Sequence, residues 1–208
     1  RRLHTSLSDN SNQTPNNIFM AHIYIFSPSS AVRDKAAFRR GVKRLTSLGH
    51  QVEVDEAALA VHTRFAGDDA TRLAAIERAA ASGANVALIS RGGYGLTRIL
   101  PGIAYKKVAK AIESGTRFVG LSDFTALQSA LLAQTGAMTW AGPALGEDFG
   151  VQGEPDDIME ACFDDLVLDQ GEGTGWRLPI ERVVKTPESI VNNDHSTLEN
   201  GQKSIKDA

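Results

Sequence analysis

The stretch Val86-Ala87-Leu88-Ile89-Ser90-Arg91-Gly92-Gly93-Tyr94-Gly95 decides the fold. Its first five residues carry no polar alternation, so the run suits a short strand covered on both faces. The glycines behind it close the run with a turn. Upstream, 69–81 has a helical pattern, with Asp68 placed to cap its start and Gly83 beyond its end. Downstream, a helix is expected over 105–114 and stops at Gly115. A strand at Arg117–Gly120, a helix at 124–134, a strand at 138–141 and a helix at 155–166, with Pro155 in its first turn, follow. Towards the amino end, His22–Phe26 and Gln51–Val54 read as strands. The helix expected between them, 34–48, sets Ala37, Phe38, Val42, Leu45 and Leu48 near one face and ends at Gly49. Strands alternating with helices predict βαβ units: an α/β fold with a parallel sheet flanked by helices. In such sheets ligands bind beyond the carboxyl ends of the strands.

Composition sets the outer bounds. The 208 residues allow one full domain and part of a second. The hydrophobic share of 42% and charged share of 23% are ordinary globular values, which excludes disorder throughout, collagen and a disulfide scaffold. A net charge of −3 gives no reason to expect a nucleic-acid or membrane-surface partner. Cys162 is the single cysteine, so no intrachain disulfide can form. It falls among Ile158, Met159 and Phe163 and is expected in the core. No apolar run approaches the ~18 residues that span a bilayer. The cytoplasm is the expected compartment.

Residues 1–19 are rich in Ser, Asn and Thr and are expected to be a disordered leader, with Met20 reading as a start. Residues 20–150 form the expected α/β domain, 151–180 a helix and linker, and 181–208 a polar tail without period.

The loops after the third, fourth and fifth strands are where chemistry is expected. Arg91-Gly92-Gly93-Tyr94-Gly95 places three glycines where backbone N–H groups can turn towards a bound group. Neither the G-x-G-x-x-G spacing nor a following Gly-Lys-Ser/Thr is present, so this is no nucleotide-phosphate loop. By spacing it is a tight strand-to-helix turn, with an oxyanion nest as the alternative. In Gly120-Leu121-Ser122-Asp123-Phe124 a serine stands between a strand and a helix. It matches a G-x-S-x-G elbow in part, Phe124 taking the place of the second glycine. Capping of the next helix by Ser122 or Asp123 is the competing reading. Trp140-Ala141-Gly142-Pro143 either shapes a pocket wall or ends a strand. Glu147, Asp148, Asp156 and Asp157 read as a solvated acidic face. His4, His22, His50, His62 and His195 form no metal-ligand spacing, and no metal or other cofactor is expected.

Taken in order, Ile89-Ser90-Arg91-Gly92-Gly93-Tyr94-Gly95, then 118–127 around Gly120-Leu121-Ser122-Asp123, then Ala141-Gly142-Pro143 resemble the LD-carboxypeptidase family of serine peptidases. Ser27-Pro28-Ser29 and 64–68 resemble it too, and the likeness covers about 20–178. The resemblance implies an N-terminal α/β domain like that of class I glutamine amidotransferases, followed by a β-rich C-terminal domain. It implies release of terminal D-alanine from murein tetrapeptide during cell-wall recycling, without a metal, by a homodimeric cytoplasmic enzyme. Ser122 is the implied nucleophile. Gly93 and Asp123 supply the implied oxyanion hole, and Arg91, Gly92, Tyr94, Gly142 and Pro143 the implied substrate pocket. The family's Trp-Gly-Gly-Asn and Leu-Glu-Asp segments and its later histidine have no match after Trp176. The triad roles therefore do not transfer to His195, Glu181, Glu188 or Glu199. The expectation is a nucleophile domain without its base-bearing partner, itself weakly active or inactive. The alternatives are a non-catalytic peptide-binding α/β module or decayed gene fragment and, more remotely, a nucleotide-binding domain.

Overall fold

Five short strands hydrogen-bond into one sheet in the computed structural model, which describes residues 20–168. They are β1 (His22–Phe26), β2 (Gln51–Val54), β3 (Val86–Ile89), β4 (Arg117–Gly120) and β5 (Trp140–Ala141). The order is β2-β1-β3-β4-β5, and every pairing is parallel. Ile23 sits opposite both Val52 and Val86, and Val119 opposite Trp140. The helices are α1 (Lys35–Ser47), α2 (Asp69–Ala81), the one-turn α3 (Leu96–Ile99), α4 (Tyr105–Glu113), α5 (Thr125–Thr135) and α6 (Asp157–Leu168). A 3-10 turn, Ser122–Phe124, leads into α5, and a π-helical turn, Leu145–Phe149, follows β5. All the described residues fall within a single compact unit.

Local chemistry explains the boundaries. The Asp34 carboxylate accepts the Ala37 N–H at 2.8 Å and caps α1, and Asp68 does the same for α2 through Thr71 at 2.8 Å. Gly49 and Gly136, at φ 95° and 72°, turn the chain out of α1 and α5. β3 is buried along its whole length, as its unbroken apolar run demands. Alternate strand residues feed two cores. Phe26, Phe118 and Phe124 pack edge to face on the side of α2, α4 and α5, with centroids 6.1 and 6.4 Å from Phe26. Ile23, Ile25, Leu88 and Val119 face α1, the π-helical turn and α6 on the other side.

Several expected boundaries move. The last strand is Trp140–Ala141 rather than 138–141, because only those two residues pair with β4 and Met138 is 75% exposed. The last helix begins at Asp157, with the Asp156 carboxylate accepting the Met159 N–H at 2.9 Å. Cys162 is only partly buried, since Met159, Phe163, Leu166 and Val167 take the inward face of α6. The leader 1–19 and the segment 169–208, with His4 and His195, lie outside the described residues.

Candidate active site

β1 and β3 are neighbours whose connections leave in opposite directions along the sheet, so a crevice opens between the loops that follow them. Ser27–Ser30 enters it from β1 and 90–95 from β3. Ser122 stands beside them, at the end of β4.

Ser122 is exposed and has a φ of 61°, one of two positive-φ non-glycine residues among those described. A serine in this region strains the backbone by ~1–2 kcal/mol, and such strain gathers where a side chain must be held at a fixed angle. The chain passes from extended Leu121 through Ser122 into the turn feeding α5. Ser122 is therefore on a strand-to-helix elbow and does not cap α5, for which there is no side-chain cap. The elbow fits only because Gly92 lacks a side chain. A Cβ on Gly92 would stand 2.6 Å from the Ser122 Cβ and 3.0 Å from its Oγ.

The glycine run is shaped by its neighbours. Gly93, at φ 120°, is exposed, and a Cβ there would strike Ser30. The Ser30 hydroxyl accepts the Tyr94 N–H at 3.0 Å. Gly95, at φ 119°, lies under Phe65, whose ring stacks on Tyr94 with centroids 6.4 Å apart. Arg64 covers the other part of Tyr94, 5.8 Å from its centroid. Arg72, fully buried, lies 4.7 Å over Phe65 and donates to Gly95 O at 2.9 Å and Asp69 at 2.6 Å.

The Asp123 carboxylate is committed to the neighbouring loops. It accepts the Ser29 hydroxyl at 2.9 Å and the Leu96 N–H at 2.8 Å, tying the loops after β1, β3 and β4 together. Ser27 and Ser90 reinforce the tie, their hydroxyls 2.5 Å apart. Gly142 donates to Gly120 O at 3.1 Å and packs on Val119, and Pro143 follows it, half-buried. Both therefore flank the end of β4.

Two features had no signal in the sequence. The π-helical turn folds back on the glycine loop: Gly146 N–H donates to Ser90 O at 2.9 Å, and the Glu147 carboxylate lies 3.6 Å from the Arg91 Nε. Burial pushes the Glu147 carboxyl up, opposed by the Arg91 charge and the Gly92 amide and aided by Asp148. The second feature is the Asp123 clamp, whose partners lie 94 and 27 residues away. Only a close likeness to a known site could have pointed to either.

Among the described residues no side chain is hydrogen-bonded to the Ser122 hydroxyl, and no group of acids, histidines and cysteine could hold a metal. His22 pairs with Glu53 and His50 lies against Ala21 and Phe163, both at the amino end of the sheet. No described helix is long and apolar enough to cross a membrane. A cleft of about 630 Å³ at the amino ends of β3 and β4, lined by Glu77, Asn85, Lys107 and Thr116, is remote from the serine.

A family model described as the LD-carboxypeptidase N-terminal domain matches residues 23–142. The chain is 35% identical over 108 residues to the "Probable murein peptide carboxypeptidase" of Bacillus subtilis, covering 51% of this chain and 33% of that protein. The structure resembles the muramoyltetrapeptide carboxypeptidase of Oxalobacter formigenes, with a TM-score of 0.60 and 35% identity over 69% of this chain and 47% of that one. It also resembles the microcin C7 self-immunity protein MccF bound to aspartyl sulfamoyl adenosine, with a TM-score of 0.67 and 25% identity over 76% and 48% of the two chains. This chain thus spans a third to a half of the length of these relatives.

Proposed function

This chain belongs to the LD-carboxypeptidase family, and from that membership we propose that it carries the nucleophile of a serine-type carboxypeptidase acting on murein peptides. The observation that carries the reading is Ser122 at φ 61°, exposed at the end of β4 and seated against Gly92. The bond to be broken joins the last residue of a peptide, D-alanine in the proposed tetrapeptide, to the one before it.

Each residue has a step. Ser122 Oγ attacks the scissile carbonyl, losing its proton to a base. The carbonyl oxygen becomes an oxyanion. The backbone N–H groups of Gly93 and Asp123 receive it, and one such donor is worth ~2.7–4 kcal/mol. Collapse of the tetrahedral intermediate expels the terminal amine, which takes up the proton. Water then cleaves the acyl-serine. Gly92, Tyr94, Gly142 and Pro143 border the space the peptide enters. Asp123 serves through its amide, because its carboxylate is committed to Ser29 and Leu96. The base, a histidine with its glutamate by family likeness, is to be sought outside the described residues. A cytoplasmic place in cell-wall recycling and a homodimeric state belong to the same reading.

A peptide-binding module without catalysis is the second reading. The observation favouring it is that no described side chain is hydrogen-bonded to the Ser122 hydroxyl. Release of D-alanine by the purified chain, by its Ser122→Ala variant and by a full-length relative separates the two. Loss of the base leaves at most ~10³–10⁴-fold catalysis from the remaining machinery. The expected result is release far slower than by the relative and lower still in Ser122→Ala. Equal release by the chain and its Ser122→Ala variant would overturn the nucleophile assignment.

A further inference from the structure

A carboxypeptidase has to recognise a free terminal carboxylate. That carboxylate is three bonds of about 1.3–1.5 Å from the scissile carbon. The cation that reads it must therefore lie within one side chain of the oxyanion donors. On the loops around Gly93, Arg72 is buried and committed to Gly95 and Asp69, Arg98 pairs with Asp69 at 2.7 Å, and Arg64 covers Tyr94. Arg91 is different. Its Nη2 is 3.8 Å from the point where a Cβ on Gly93 would stand, and the Ser30 hydroxyl borders the same point. Its Nε is buried and has no hydrogen-bond partner among the described residues. The nearest carboxylate, Glu147, is at 3.6 Å, a charge contact too long for a hydrogen bond.

We propose that Arg91 is the anchor for the substrate's terminal carboxylate, with Glu147 as the positioning residue that aims it. This rests on the reading of the site as a carboxypeptidase. The Glu147 charge faces the Nε edge at 3.6 Å, and the π-helical turn bearing it is fixed to Ser90 through Gly146. The two Nη groups then remain as a fork, a shape that matches a carboxylate in two parallel hydrogen bonds. The side chain is 29% exposed, enough for a ligand to reach those groups. The Ser30 hydroxyl, beside the same glycine, completes the recess.

The test compares a D-alanine-terminated tetrapeptide as its free acid and as its C-terminal amide. Both are titrated by calorimetry into the 208-residue chain carrying Ser122→Ala, so that neither is consumed. A hydrogen-bonded charge pair should favour the acid by about tenfold or more. Adding Arg91→Gln should erase that preference by weakening the acid far more than the amide, and Arg91→Lys should restore part of it. A merely structural role for Arg91 would weaken acid and amide alike. Equal binding of the two peptides by the unsubstituted loop overturns the anchor and leaves the peptide site standing. A preference that survives Arg91→Gln also overturns it. Binding of neither peptide overturns the anchor together with the reading on which it rests.

Discussion

The strain at Ser122 and the space at Gly92 are two sides of one arrangement. At φ 61° a serine is held where glycine would rest at ease. Ser122→Gly should therefore stabilise the fold by up to about 1 kcal/mol in denaturant unfolding, while Ser122→Ala leaves it unchanged. A destabilised Ser122→Gly would show that the angle carries no strain. Gly92→Ala acts from the other side, because its methyl group would press on the Ser122 Cβ at 2.6 Å. Such overpacking costs typically ~1–3 kcal/mol. We expect the loss in the same unfolding measurement, and a weaker one if Ser122→Gly is combined with it, since the clashing side chain is then gone.

At the scale of elements, the end of β2 is locked to β1 and α2 by a buried acid. Tyr24 donates to Asp55 at 2.7 Å, and Arg78 grips the same carboxylate through Nε at 2.7 Å and a terminal nitrogen at 2.9 Å. Burial alone would raise the Asp55 carboxyl, but the Arg78 and Tyr24 hydrogen bonds outweigh it and hold it below the usual carboxylate range. A carboxyl lowered by folding stabilises the native state above its unfolded value, near pH ~3.9, and that contribution fades as pH falls through the native value. Asp55→Asn should therefore flatten the part of the acid unfolding curve below about pH 4. The Tyr24 phenol has the opposite sign. Burial, then the Asp55 bond, raise it, so its contribution is full below pH ~10 and lost above. Arg78→Leu would leave Asp55 buried without its cation, at a cost of about 3–5 kcal/mol at neutral pH. An acid limb that is identical in Asp55→Asn would remove Asp55 as its origin.

Elements were legible in the sequence where a single physical cause set them. The unbroken VALI of β3 and the aspartate capping α2 each carry their own signal. β5 was legible in its end but not in its start, because Met138 lies exposed and only Trp140 and Ala141 pair with β4. The π-helical turn has no local pattern at all. Leu145 and Phe149 are buried on α1 and its neighbours, and tertiary packing alone decides its shape. The site divides in the same way. Ser122 and the glycines follow from position at strand ends, whereas Glu147 and the Asp123 clamp exist only after distant loops meet.

For the whole molecule, the sheet separates two cores that share no side chains. Leu45 lies in one, with Phe38 and Phe163, and Leu131 in the other, with Phe118 and Leu127. Truncating either to alanine should cost about 2–5 kcal/mol. Because the sheet stands between them, the double variant should lose the sum to within about 0.5 kcal/mol in equilibrium unfolding. A larger departure would mean that the strands transmit strain from one face to the other. The candidate site caps one end of this arrangement, with Leu96 and Phe124 rooting its loops in the core beneath α2, α4 and α5. Its residues come from loops at the carboxyl ends of three strands, clamped by Ser29, Asp123 and Leu96.

The shortness of β5 bears on how copies of this protein tolerate crowding. An open sheet edge offers unpaired amides and carbonyls on which a stray strand can grow. Among the described residues β5 is such an edge, and Trp140 and Met138 leave apolar surface beside it, 45% and 75% exposed, the combination that invites aggregation. Yet the strand runs for only two residues. Pro143 soon follows and has no N–H to donate. An incoming strand finds too few donors to propagate a ladder, so the edge is blunted by its own termination and can keep its greasy rim without seeding fibres.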